Sequence, residues 1–375
     1  MMLCLGCFKR EATEEKCICG FCPDSPRHFS LLPLGIQLHQ GRYTIGRLLG
    51  RPGGFGIAYL GYDHNAQRRV AIKEFFPTTL VSRGTDHVTV VPQSDYYGKL
   101  FEHGLDRFLE EARQLKLFRH YNIIRVQECF EEMGTVYLVM EYRSGQTLAQ
   151  YIQRQGGKMK EKVAVPLMMQ IMDGLREVHK KRIIHRDIKP ENIYLAKNSA
   201  GNSFPILLDF GAARVAIGEK DQELTRIFTP DFAPFEQWTT TQKQGPWTDI
   251  YSCGATLYFA VTGEKPPRAP DRQEKDTLVA PEKLEPSISP EFSKTLTCAL
   301  SLRPEDRFQT IEEFQQQFLK KEVEIAIPSP IPEGEGNSDP STLVEPKHKE
   351  EKRFNWVVVL LLIGCLIGAL IIGKN

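Results

Sequence analysis

Charge of one sign is what this sequence most lacks. Its 48 Lys and Arg almost cancel its 47 Asp and Glu, leaving a formal charge of +1. A general nucleic-acid binder carries a basic footprint, so that class is excluded and no nucleic-acid partner is expected. No internal repeat is visible, which removes solenoids and propellers. A disulfide framework is missing as well. Nine Cys are few for 375 residues, and Cys4, Cys7, Cys17, Cys19 and Cys22 crowd into one short stretch. That clustering points to metal binding in a reducing compartment. No signal peptide opens the chain, because charges from Lys9 to Lys16 interrupt the start. Long apolar runs are scarce, so a polytopic membrane protein is excluded. The 41% hydrophobic and 25% charged shares are globular values, which sets collagen-like and wholly disordered chains aside.

What is present falls into zones. The length suggests roughly two domains, or one large domain with attachments. Residues 1–26 hold the Cys cluster, 27–42 form a connector, and 43–320 make a long globular stretch. Residues 321–354 are rich in Pro, Glu, Ser and Lys and read as a flexible linker. Residues 355–373 contain an uncharged aliphatic run entered at Trp356. About 20 such residues span a bilayer core as a helix. Lys347, Lys349, Lys352 and Arg353 on its near flank place the globular part in the cytoplasm, with Lys374 as a weaker opposing signal. The expectation is a single-pass, C-terminally anchored protein of the cell membrane with no extracellular sensor. Gly364 and Gly368 have the spacing through which two such helices can pair as a homodimer.

The Cys cluster begins with a knuckle spacing, Cys4-x-x-Cys7, which lets two thiolates from one turn meet one ion. A tetrahedral structural zinc needs a second pair. Cys19 and Cys22 supply it, with Cys17 as the alternative; thiols holding no metal are the plainer reading. Further on, "YTIGRLLGRPGGFGIAYLGYD" alternates apolar residues around Gly50, Gly53, Gly54 and Gly56. Glycine there lets backbone N–H groups approach phosphates without Cβ interference. "RRVAIKEFF" buries Lys73 among Val70, Ala71 and Ile72, so its ammonium needs a partner. "RFLEEARQLKLF" has helical spacing and offers Glu110 and Glu111. "RIIHRDIKPENIYLA" and "PILLDFGAAR" complete the series.

In order and spacing, these motifs resemble the protein kinase signature set. The resemblance runs from about Tyr43 to Phe318 and is nearest to bacterial Hanks-type (eukaryotic-like) Ser/Thr protein kinases. It implies an α+β bilobal protein kinase fold: an antiparallel β-sheet N-lobe with one helix, to about residue 141, then a mainly α-helical C-lobe. It also implies transfer of the ATP γ-phosphate to protein Ser/Thr hydroxyls, including autophosphorylation, with ATP and Mg²⁺. Lys73 would hold the α and β phosphates. Glu111, the Glu directly before Ala, would hold Lys73. Asp187 would accept the substrate proton, Lys189 would steady the γ-phosphate, and Asn192 and Asp209 would ligate Mg²⁺. The glycines with Ala58, Ala71, the gatekeeper Met140 and the hinge residues Glu141 and Arg143 would bind ATP.

The resemblance extends to control. Thr225 would be the phosphosite answering Arg186, while Thr229 would hydrogen-bond Asp187 and Lys189. Glu236 should pair with Arg307. Asp249 should hold the catalytic-loop backbone. Leu115, Val126, His185 and Phe210 should stack as an apolar column. The Cys segment resembles the zinc-ribbon leaders of some bacterial kinases, though Cys17 sits one residue too close to Cys19 for their usual second pair. The Gly loop is one residue longer than GxGxxG and contains Pro52, which lacks an N–H. Ala58 stands where Val is usual, and Phe235 replaces the Pro of the APE element. The stretch from Glu74 to Arg107 is long for a strand-to-helix connection and reads as an insertion offering a docking surface. A non-catalytic scaffold and a small-molecule kinase compete with this reading. The intact charged set speaks against the first, and the activation segment and KPEN run against the second.

Overall fold

Polar–apolar alternation builds the first lobe. Its main sheet is antiparallel, in the order β1 (Gln37–Leu38), β2 (Tyr43–Leu48), β3 (Gly56–Asp63), β4 (Arg68–Phe75), β8 (Thr135–Glu141) and β7 (Val126–Glu132). In β4, Val70, Ile72 and Glu74 share one face and are fully buried, while Ala71 and Lys73 share the other. The computed structural model describes residues 3–9, 19, 29–210, 231–239 and 241–324, and all of them fall in one compact unit, Met1–Ala326. The expected linker begins inside the last helix, which runs on to Glu324; residues 325–354 and the apolar run at 355–373 lie outside the described residues. Among the described residues no helix is long and apolar enough to cross a membrane.

The connector is part of the sheet rather than a link to it. Its β1 pairs with β2, and Leu32 and Leu38 are fully buried in the N-lobe core. The expected insertion is also ordered. It forms a hairpin, β5 (Val81–Arg83) with β6 (Val90–Pro92), and then the first half of α1 (Asp95–Leu115). The helix therefore starts well before the run at Arg107 that signalled it. Ser94 caps it by accepting from the Tyr97 amide, and Leu100, Phe101, Phe108, Leu109, Ala112 and Leu115 line its buried stripe. Sequence periodicity found only the second half, where Glu and Arg mark the solvent face clearly.

A buried ion pair ties the insertion to the sheet. The Arg83 guanidinium donates to both Glu74 carboxylate oxygens at 2.6 Å. Tyr59 and Tyr137 donate their hydroxyls to the same carboxylate at 3.2 and 3.0 Å. The Ser30 and Val88 carbonyls accept from Arg83 at 3.0 and 2.9 Å. One cluster thus joins connector, β3, β4, hairpin and β8. Glu74 and Arg83 have side-chain exposures of 0% and 3%, so each charge depends on the other for solvation.

The second lobe is helical. It holds α2 (Leu148–Arg154), α3 (Glu161–Lys180), α4 (Pro246–Thr262), α5 (Ala269–Glu274), α6 (Pro281–Leu284), α7 (Pro290–Ala299) and α8 (Ile311–Glu324). A small sheet, β9 (Gly145–Thr147), β10 (Ile193–Lys197) and β11 (Ser203–Leu207), lines its upper edge. Helix α4 is apolar almost all round and is buried accordingly. As expected, Glu236 and Arg307 form an ion pair at 2.7 Å with both side chains fully buried. Thr248 donates to Glu236, and the Ser301 and Leu302 carbonyls accept from Arg307.

Removing one member of the Glu74–Arg83 pair strands a buried charge. Arg83→Ala should lower the unfolding free energy by about 3–5 kcal/mol in urea titration. Replacing both residues with apolar ones of similar volume should recover most of that loss. A single variant as stable as wild type would show that the pair does not anchor the insertion.

Candidate active site

Strand register sets the upper wall of the cleft. Lys73 stands opposite Ala58 on β3 and Leu138 on β8, and Ala71 stands opposite Met140. Gly56 lets the loop strand close onto β4: a Cβ there would lie 2.7 Å from the Glu74 carbonyl oxygen and 3.1 Å from Lys73 Cε. Gly53 donates its N–H to the Gly56 carbonyl at 3.0 Å. The loop's outer half is tied to the segment after β4: Phe76 N–H donates to Phe55 O and Thr78 N–H to Gly54 O. Gly50 has φ +76°, a left-handed conformation that glycine adopts without penalty.

The ammonium of Lys73 pairs with Asp209 Oδ1 at 2.8 Å. The sequence expectation gave Lys73 to Glu111. Glu111 is buried on the inner face of α1 and acts on Lys73 through its field. Burial opposes the charged lysine, and the field and hydrogen bond of Asp209, with smaller help from Glu111 and Asp187, outweigh it and raise its pKa. Asp209 has φ +44°, so the turn after β11 aims its carboxylate back under the sheet.

The catalytic loop lies between α3 and β10. Lys189 Nζ reaches both Asp187 oxygens at 3.1 Å. Asn192 Nδ2 donates to Asp187 Oδ2 and to the Asp187 carbonyl, both at 2.8 Å. The loop backbone hangs from Asp249 on α4, as the motif reading expects. That carboxylate accepts from the His185 and Arg186 amides at 2.9 and 2.8 Å and from His179 Nε2 at 2.7 Å. Burial pushes the Asp249 pKa up, and His179 with the other donors more than reverses it, so the acid is held below its ordinary value. Arg186 has φ +68°, and its Nε donates to Gln244 Oε1 at 3.0 Å.

Three contributors were not found in the sequence. Gln237 donates its side-chain amide to the Arg186 carbonyl at 2.8 Å. His179 supports Asp249, and Gln244 receives Arg186. None belongs to a motif, and no local pattern marks them.

His185 sits at the centre. Its ring lies 4.3 Å from that of Phe210, one contact of the expected column, and Leu115, Val126 and Phe210 belong to the same buried core. The Leu208 carbonyl must accept from His185 Nε2 (2.7 Å), and the Asp187 N–H donates to Nδ1 (3.2 Å). Only the neutral ring protonated at Nε2 satisfies both. Burial lowers the His185 pKa, and the fields of Asp249, Asp187 and Asp209 offset this only in part.

Met140 is buried at the back of the cleft. Glu141 and Arg143 form an ion pair at 2.9 Å along the hinge, and the Arg143 carbonyl accepts from Tyr194. In the leader, the Cys4, Cys7 and Cys19 sulfurs lie within 4.8 Å of one another, with Cys4 and Cys19 3.8 Å apart. Cys17, Cys22, Thr225 and Thr229 lie outside the described residues.

Comparison with known proteins agrees with this geometry. A protein kinase domain model matches residues 43–319. The serine/threonine-protein kinase Pkn1 of Myxococcus xanthus is 29% identical over 312 residues, covering 80% of this chain and 41% of that protein. PknA of Nostoc sp. is 29% identical over 287 residues, covering 74% and 47%. The chain thus spans less than half the length of these two relatives. Among solved structures, the apo form of PpkA-294 is 37% identical, with a TM-score of 0.68, over 77% of this chain and 99% of that one. The PknI kinase domain of Mycobacterium tuberculosis, 20% identical with a TM-score of 0.57 over 78% of this chain and 100% of that one, shares the fold.

A folded pKa below the unfolded value means that the unfolded chain binds the extra proton first. The His185 contribution to stability is therefore present above about pH 6.5 and declines as pH falls below it. Thermal unfolding of the wild type should drop between pH 6.5 and 5.5, and His185→Asn should flatten that slope. An unchanged slope would assign it to other groups.

Proposed function

This chain belongs to the protein kinase family, and from that premise we propose that it transfers the γ-phosphoryl group of ATP to Ser and Thr hydroxyls of proteins, itself included. The observation that carries the reading is the polar floor of the cleft. Lys73 meets Asp209 at 2.8 Å, and Asp187 is clamped by Lys189 and Asn192. Phosphoryl transfer needs positioning and charge compensation more than covalent chemistry, and this cluster of charges supports both.

In this reading Lys73 holds the α and β phosphates under the Gly loop. Glu111 keeps the field at Lys73 favourable once Asp209 turns to a metal. Asp209 and Asn192 present carboxylate and amide oxygens, the hard donors that suit Mg²⁺. Bound there, Mg²⁺ would neutralise phosphate charge. Asp187 accepts the proton of the substrate hydroxyl, and Lys189, already at its carboxylate, stabilises the charge between them. Ala58, Ala71 and Met140 enclose the adenine, with Glu141 and Arg143 at the hinge. Thr229 would hydrogen-bond Asp187 and Lys189. Phosphorylated Thr225 would pair with Arg186, since a phosphate carries about two charges and suits a guanidinium.

The leader reads as a structural zinc site. Sulfurs about 2.3 Å from a tetrahedral zinc lie about 3.8 Å from each other, the separation of Cys4 and Cys19. Cys7 makes the third corner, and Cys22 or Cys17 would make the fourth. Residues 355–373 support a C-terminal anchor in the cell membrane, with the catalytic domain on the cytoplasmic side and GxxxG pairing as a route to a dimer.

With Mg-ATP, the purified chain should phosphorylate itself and a generic protein substrate on Ser and Thr. Asp187→Asn should lower turnover about 10²-fold or more and leave Thr225 unphosphorylated by mass spectrometry. Equal turnover in mutant and wild type would sink the reading. Thr225→Ala should lower activity while ATP binding holds. Full activity in that variant, with Thr225 unmodified in the wild type, would refute the phosphosite.

Two measurements on the full chain test the attachments. Metal analysis should give about one zinc per chain, and alkaline carbonate should leave the chain in the membrane pellet. Metal-free protein, or complete release, would overturn the respective assignment.

A further inference from the structure

The strand that leads into the nucleotide loop carries an irregularity that the leader fills. Strands β2 and β3 lose register between Ile45 and Leu48, leaving Gly46 and Arg47 out of the ladder. The Arg47 N–H donates to the Leu5 carbonyl at 2.9 Å, and Arg47 Nε donates to the Gly6 carbonyl at 2.8 Å. The Phe8 ring stacks on Tyr62 of β3 at 5.6 Å. Gly46 makes the approach possible: a Cβ there would lie 2.3 Å from Leu5 O and 2.5 Å from the Phe8 ring. Cys4 and Phe8 are 5% and 6% exposed in this seat. The seated turn is the knuckle itself, with the Cys7 and Phe8 amides donating to Cys4 O and the Gly6 amide to Cys4 Sγ. Phe8 closes it at φ +47°, a costly conformation for a non-glycine residue.

We propose that this contact is a brace on nucleotide affinity: the β2 bulge is a docking site for the chain's own Leu5–Phe8 turn, and the turn in its seat holds the root of the Gly loop. The loop begins directly after it, where the Leu49 N–H donates to the Ala58 carbonyl at 2.7 Å. Without the turn, the Arg47 N–H loses its acceptor and the bulged strand is free to slip toward regular pairing. A one-residue slip turns every following side chain to the other face. Nucleotide binding would then have to restore the register as well as order the loop.

The thiol cluster is the lock on the brace, and this step rests on the zinc reading given above. One ion held by Cys4, Cys7 and Cys19 fixes the turn in the shape that fits the seat. Linkage makes the effect reciprocal, so bound nucleotide must raise zinc affinity by the factor by which zinc raises nucleotide affinity.

The test uses the full-length chain in detergent, a non-hydrolysable ATP analogue and zinc. Phe8→Ala and Gly46→Ala should each speed maleimide labelling of Cys4 and weaken analogue binding about tenfold, the scale of one or two lost hydrogen bonds. Removing zinc with a chelator should do the same in the wild type, and saturating analogue should raise zinc affinity by the matching factor. In Phe8→Ala, kcat at saturating ATP should stay within about twofold while KM for ATP rises. If both variants expose Cys4 but analogue affinity is unchanged, the brace is wrong. If Cys4 reacts as fast in wild type as in the variants, the seat itself is wrong. A wild-type chain that takes up no zinc, while Phe8→Ala still weakens nucleotide binding, would support the brace and overturn the lock together with the zinc reading. Loss of phosphoryl transfer with analogue binding intact would bear on the kinase reading alone.

Discussion

A positive charge sealed between two lobes is the constraint on which this structure turns. Lys73 must stay charged to hold phosphate, yet it sits where burial favours the neutral amine. Asp209 answers this by contact, and Glu111 and Asp187 answer it from farther off. The acidic groups in turn need Lys73, Lys189 and Asn192 between them. The first lobe supplies the lysine from a strand and the second supplies the aspartates from loops, so the two lobes meet around one shared charge balance. Removing any one charge unsettles the others, which is why the set reads as a unit.

The catalytic loop is fixed by a different means. Asp249 holds its backbone from below, Gln237 from the side, and His185 from within by using both ring nitrogens. Arg186 has positive φ, as does Asp209, and such conformations persist where surrounding contacts over-determine them. The loop geometry therefore rests on buried donors and acceptors supplied by other elements. A phosphate on Thr225 would act chiefly through the Arg186 guanidinium, with the orientation of Asp187 already set.

What the sequence made legible follows from where its information is local. The residues around Asp187 lie within one short run whose spacing is itself the geometry, so their proximity could be read by position. Asp249 and the Glu236–Arg307 pair were legible because each sits in a recognisable run of its own. Lys73 was assigned to Glu111, but the nearer partner depends on how the lobes bring β4 and the end of β11 together, which no spacing encodes. Gln237, His179 and Gln244 have the same problem. The Glu74–Arg83 pair was missed for a further reason. Glu74 falls on the β4 face it shares with buried Val70 and Ile72, where a carboxylate is out of pattern, and its partner Arg83 comes from the hairpin, which no local spacing joins to it. The length of that insertion was visible, whereas its packing was not.

The nucleotide loop shows what these added segments accomplish together. Pro52 removes one N–H from the loop, and the Gly53 N–H is spent on Gly56 within it, so fewer backbone donors remain for phosphate. A loop with a weaker intrinsic grip gains more from being held in place, because ordering it on binding costs entropy. Here both of its roots are held from outside. The segment after β4 takes Gly54 and Phe55, and the leader takes Arg47. The first support is anchored by the Glu74–Arg83 pair and the second by Gly46. The leader lies before residue 43, where the family match begins. On the proposed brace, affinity for nucleotide would thus be adjustable from the seated Leu5–Phe8 turn, which holds the strand before the loop.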